Sequence, residues 1–89
     1  MKKYLDSIYF DYNVLKKQIQ EIIPEETVEE KVFITNKLFF VEELIESVQK
    51  EPKNESDLNS ITKKLFLVRN IMNSIQNWYY LKKINLILK

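Results

Sequence analysis

Two pairs of carboxylates invite a chemical reading. Glu26 and Glu30, within "EETVEE", and Glu42 and Glu46, within "VEELIE", are each four residues apart, so on a helix each pair lies side by side and could share a hard cation. Dinuclear carboxylate bundles, however, complete such sites with Glu-x-x-His pairs from facing helices, and this chain has no His. The carboxylates therefore read as a solvated acidic face, with no metal and no cofactor. Ser7, Ser47, Ser56, Ser60 and Ser74 lack an imidazole base. Without Gly there is no nucleophile elbow, phosphate loop or dinucleotide fingerprint, and without Cys there is no thiolate, disulfide or zinc-thiolate site. The expectation is a protein that is not an enzyme and takes no small-molecule substrate.

A second candidate chemistry lies in the closing stretch "IQNWYYLKKINLILK". Lys82 and Lys83 beside Trp78, Tyr79 and Tyr80 have the side-chain types that hold phosphates and stack bases, so a nucleic-acid-binding helical protein is the alternative reading. Against it stand the net charge of +1, a single Arg (Arg69), and the dispersal of Lys63, Lys64, Arg69, Lys82 and Lys83 around the helix. Charge is nonetheless segregated. Residues 1–20 carry four Lys against two Asp, residues 21–57 four Lys against ten Glu and Asp57, and residues 58–89 five Lys and Arg69 with no acid. The middle is thus acidic at −7 and the end basic at +6, so the two attract within one molecule or across two. The amides Asn70, Asn73 and Asn77 read as a solvent face.

The elements that must position these residues follow from apolar spacing. Leu5, Ile8, Tyr12, Leu15, Ile19 and Ile22 keep one stripe of a helix over about residues 3–23. Pro24 ends it and can open the next helix at about residue 25, whereas Thr27 with Glu30 offers an alternative start as a capping box. The second helix, to about residue 50, carries Ile34, Leu38, Val41, Ile45 and Val48, with Phe33, Phe40 and Leu44 as a second row. The linker "QKEPKNESDLN" contains Pro52, and Asn54 or Ser56 would cap a third helix from about 57 to 88. On that helix Leu58, Ile61, Leu65, Val68, Met72, Ile75, Tyr79, Lys82 and Leu86 hold an unbroken alternation of three and four, polar only at Lys82. At 1.5 Å per residue it is about 48 Å long against about 32 Å for the first, so its last turns overhang.

The predicted fold is a single all-α domain over residues 1–89: an antiparallel up-down-up three-helix bundle with a long C-terminal helix, which dimerisation would complete. Lacking Ala and Gly, the chain has only bulky apolar side chains, more than so small an interior accommodates. The surplus marks an interface. The residues expected to bind a partner are Phe33, Phe40, Leu44, Leu67, Ile71, Trp78, Tyr80, Lys82 and Lys83, and the expected partner is another protein or a second copy in a homo-oligomer. The acids Asp6 and Asp11 interrupt any secretory h-region, and charges within the closing stretch exclude a spanning helix, leaving peripheral membrane contact as a minor reading. The sequence thus predicts a cytoplasmic surface-binding protein of the inhibitor, immunity or adaptor type, and its Ile-, Lys- and Asn-rich composition predicts an AT-rich phage, plasmid or bacteriocin-system origin.

Overall fold

The computed structural model describes residues 2–50 and 55–88, excluding the side chains of residues 2, 3, 55–57 and 86. The described residues are helical almost throughout: α1 spans Lys2–Ile22, α2 Val28–Lys50 and α3 Glu55–Leu88. They pack as a helical bundle.

Of the two start signals for α2, the structure uses Thr27. Pro24 lies in a single 3₁₀ turn, Ile23–Glu25, closed by the Glu26 N–H donating to the Ile23 carbonyl at 3.0 Å. The Thr27 hydroxyl then accepts from the Glu30 N–H at 3.2 Å, and its carbonyl accepts from Lys31 at 2.9 Å. This satisfies one of the orphan donors of the first turn. α2 thus begins three residues later than the Pro24 signal suggests. α3 begins two residues earlier than Asp57. Pro52 and the candidate cap Asn54 lie outside the described residues, as does the Ser56 side chain.

The three apolar stripes meet in one core. Ile8, Tyr12, Leu15, Ile19 and Ile22 of α1, Ile34, Leu38, Val41, Ile45 and Val48 of α2, and Ile61, Leu65, Val68, Met72, Ile75 and Tyr79 of α3 are all buried. Apart from the Tyr12 and Tyr79 hydroxyls, this core contains no polar side chain, and no charged or other polar residue is buried among those described. Leu58, expected on the α3 stripe, is 42% exposed. Leu86 lies outside the described side chains. Leu5 is only partly buried.

Polar contacts between helices fix the register. Along α2 and α3, Ser47 meets Lys64 at 2.8 Å, Lys37 meets Ser74 at 3.0 Å, and Glu30 meets Trp78 at 2.9 Å, so the numbers fall on one helix as they rise on the other. On α1, Asp11 pairs with Arg69 of α3 at 3.0 Å, and Lys16 with Glu42 of α2 at 2.8 Å. The molecule is 52 Å long, 22 Å wide and 16 Å thick. Its long dimension is that of α3, whose 34 residues rise about 51 Å.

Candidate interaction surface

The α2–α3 register brings two separate rows of the sequence face to face. Successive helical residues are rotated by about 100°, which places Phe33, Lys37, Phe40 and Leu44 on the α3-facing edge of α2, and Leu67, Ile71, Ser74 and Trp78 on the α2-facing edge of α3. With Lys37 opposite Ser74, Phe33 falls level with Trp78, Phe40 with Ile71, and Leu44 with Leu67. Leu44, Ile71 and Trp78 pack partly onto the core, while Phe33, Phe40 and Leu67 are each about half exposed. Phe33, Asn36, Lys37, Phe40 and Ile71 line a shallow open groove of about 350 Å³ between the helices. The Lys37 ammonium lies 4.7 Å from the Phe33 ring centre, so its stem shields part of that ring while its charge faces the aromatic face.

The remaining three predicted partner-binding residues are not part of this strip. Tyr80 points to the other side of α3, half exposed, its hydroxyl 3.2 Å from the Gln76 amide. Lys83 is exposed beside Tyr79, 5.6 Å from its ring centre. Lys82 turns inward to Glu26 at 3.1 Å and Glu30 at 3.6 Å.

This last arrangement resolves the first carboxylate pair: Glu26 and Glu30 do share a cation, and it is the Lys82 ammonium. Hydrogen bonding to Glu26, reinforced by the charges of both carboxylates, pushes the Lys82 pKa up against the opposing effect of desolvation. Trp78 completes the cluster, donating its indole N–H to Glu30 at 2.9 Å while its ring lies 5.5 Å from the Lys82 ammonium. This clasp ties α3 to the α1–α2 turn one heptad step above the last buried residue of its stripe, Tyr79.

The second carboxylate pair, Glu42 and Glu46, lines a groove against α1 with Tyr9, Tyr12, Asn13 and Lys16, and Glu42 makes the contacts to α1. Its carboxylate accepts from Lys16 at 2.8 Å and from the buried Tyr12 hydroxyl at 2.6 Å, and that hydroxyl also sits 3.2 Å from the Leu38 carbonyl oxygen. The hydrogen bond from Lys16, then that from Tyr12, holds Glu42 below the usual carboxylate range. Burial, together with the neighbouring carboxylate, pushes the Tyr12 hydroxyl far up, so it stays a proton donor. Among the described residues no group of three or more acids is placed to hold a metal ion. No helix there is long and apolar enough to cross a membrane.

Sequence reasoning missed exposed aromatics elsewhere. Phe10 and Phe66 are each 68% exposed, and Phe39 is also exposed. Their only sequence signal was that they lie off the main stripes. It also missed Glu30 as the partner of Trp78, a contact 48 positions apart. The chain matches no protein-family model, no curated protein and no solved structure.

Proposed function

We propose that this chain is a protein–protein interaction module that acts inside the cell by occupying a partner's surface, as inhibitor, immunity and adaptor proteins do. It works by binding, without catalysis. The observation that carries this reading is the apolar strip of Phe33, Phe40, Leu44, Leu67, Ile71 and Trp78 along the α2–α3 seam, contributed by two helices and open to solvent. Aromatic and aliphatic side chains held on rigid helices lose little entropy on docking and serve as anchors. An up-down-up bundle, the topology we infer from the interhelical pairs, holds both edges parallel to one another over several turns and suits a partner that presents a helix or a ridge.

The basic C-terminal helix draws less support as a nucleic-acid site, since Lys82 already serves two carboxylates and the Trp78 indole N–H a third contact with one of them. A phosphate approaching there meets Glu26 and Glu30.

Photo-crosslinking in the native host tests the reading. A crosslinking residue at position 40 or 67 should trap one discrete protein, and the same residue at the exposed position 13 should trap none. Equal products at all three positions would defeat the assignment. So would binding of a single-stranded oligonucleotide that falls steeply with salt and is lost on Lys82→Glu with Lys83→Glu.

A further inference from the structure

The outer rim of the α2–α3 strip carries charge in a pattern that matches itself when turned end for end. Glu29, Asn36, Glu43 and Lys50 recur every seven residues on α2, so they form one row along it. The row is turned from Phe40 by about 20–80° away from the core, and Asn36 lines the open groove with Phe33 and Phe40. All four side chains are exposed, and the three charged ones have no ion pair among the described residues. The row thus borders the apolar strip on its own face, with its charges uncommitted.

Set antiparallel to a second copy about a twofold axis level with Phe40, this row is its own complement. Glu29 meets Lys50 of the other copy and Asn36 meets Glu43, so symmetry gives two ion pairs and two amide–carboxylate contacts. Phe40 and Ile71 meet their own equivalents near the axis. The α3 half of the face, Leu67, Asn70, Ile71, Ser74, Asn77 and Trp78, brings no charge to oppose. The α2 and α3 helices of both copies then alternate in direction around a second core, as in an antiparallel four-helix bundle. The other twofold, which lays α2 against the α3 of the second copy, fits worse. The Ser47–Lys64 and Lys37–Ser74 contacts fix the relative heights of the two helices. At those heights Lys50 comes beside Lys63, while Glu43 and Glu29 come beside Leu67 and Leu81.

The area suffices for a weak pair. The row from Glu29 to Lys50 rises about 32 Å and two helices about 10 Å apart make the face about 20 Å wide, so both copies together withdraw about 1,200 Å², the lower end for a specific interface. Covering Lys37, whose ammonium stays on Ser74 and over Phe33, offsets part of the gain.

We propose that the strip is closed by a second copy of this chain, in an antiparallel dimer registered by Glu29 with Lys50 and Asn36 with Glu43. This inference rests on the reading of the strip as an interaction surface and adds its regulation. The dimer depends on concentration, and a different partner binds only the copy that has come apart.

Sedimentation velocity of the full chain over about 5–500 µM tests it. The expected result is a monomer–dimer equilibrium that Phe40→Asp abolishes. Glu29→Lys should weaken the dimer about tenfold, as should Lys50→Glu, and the two in one chain should restore it, because each pair is then reversed instead of broken. All three positions are exposed, so retained helicity and thermal midpoint show that each variant is folded. A monomer throughout the range overturns the proposal, as does a dimer that survives Phe40→Asp or one that the double exchange fails to restore. A monomeric chain that still traps another protein from position 40 or 67 loses only the self-pairing, whereas a monomer with equal products at positions 13, 40 and 67 loses the strip as well.

Discussion

The two grooves that flank α3 are close in size, about 350 Å³ toward α2 and about 320 Å³ toward α1, yet their rims differ in kind. Toward α1 the lining includes Asp11, Gln18, Arg69, Asn73 and Gln76, and the Arg69–Asp11 pair crosses it. Its exposed apolar members, Phe10 and Val14, belong to α1 alone. Toward α2 the lining is Phe33, Phe40 and Ile71 with one amide, Asn36, and Lys37 crossing to Ser74. Water satisfies a polar rim, whereas an apolar rim gains free energy only when something covers it. One seam is therefore bridged by polar contacts within the chain and the other keeps an open apolar rim, the one proposed above for a partner, although the same buried residues of α3 support both.

The adjacent residues Ile71 and Met72 set the two seams apart most sharply. Met72 is buried at the floor of the α1 groove and Ile71 is partly buried in the α2 groove. Met72→Ala should cost about 2–5 kcal/mol, the range for a buried side chain that leaves a cavity. Ile71→Ala should cost about 1 kcal/mol, since only part of its apolar area is withdrawn from water. Urea unfolding followed by circular dichroism checks both. Equal losses would mean that the α2 seam is as much a part of the core as the other.

Recognition should show the opposite bias. Phe40→Asp places a carboxylate in the centre of the apolar strip and should weaken the partner identified by crosslinking at least about 30-fold, corresponding to about 2 kcal/mol, while the thermal midpoint moves by no more than a few degrees. Phe10→Asp, on the more exposed aromatic of the α1 groove, should leave that affinity within about twofold. Titration calorimetry with the purified partner measures the contrast. If Phe10→Asp is the damaging change, the two seams have exchanged roles.

The α1–α2 seam adds a pH test. Glu42 is held below its ordinary pKa by Lys16 and Tyr12, so the stability it contributes is complete above the ordinary carboxylate value near 4.3 and is lost as pH falls through the lowered value. Lys82 is held above its ordinary value by Glu26, so its contribution is complete below about pH 10 and fades as pH rises through the raised one. Both groups keep solvent contact, which makes the slopes shallow. The thermal midpoint should therefore fall at both extremes, and Glu42→Gln should flatten only the acid limb. An unchanged acid limb in that variant would assign the loss to other carboxylates.

How much of this was legible in the sequence depends on how local each signal is. The stripes on the three helices were legible because a period of 3.6 residues needs no knowledge of neighbours, and every one of their members from Ile8 to Ile22 and from Ile34 to Val48 is buried. Leu58 obeys the same period and is not buried. On the offset set by Asp11 and Arg69 it falls below Lys2, the first described residue of α1, and on the Lys37–Ser74 register it falls past Lys50 of α2. Spacing alone cannot reveal that difference. The second rows on α2 and α3 were legible as surplus, but that they share one seam while Tyr80 leaves it follows only from the register. So do the partners of Lys82, which the sequence marked merely as the polar exception in an apolar stripe.

The smallest expected effect lies at the crossing of the α1 seam. The Arg69 and Asp11 side chains are 33% and 45% exposed, and the Arg69 guanidinium lies 6.0 Å from the Tyr4 ring. The hydrogen bond from Arg69 to Asp11 raises an already high guanidinium pKa, so the cation persists at every pH at which the bundle is folded. Solvent screening limits such a pair to about 0.2–1 kcal/mol. Asp11→Asn should therefore lower the thermal midpoint by a few degrees at low salt, and the difference from wild type should shrink as salt rises. Arg69→Met keeps most of the stem over Tyr4 and should match it, because packing is retained while charge is lost. If Arg69→Met is clearly more damaging than Asp11→Asn, the cation over the ring contributes more than the ion pair, and the polar rim is held by α1's first turns rather than by Asp11.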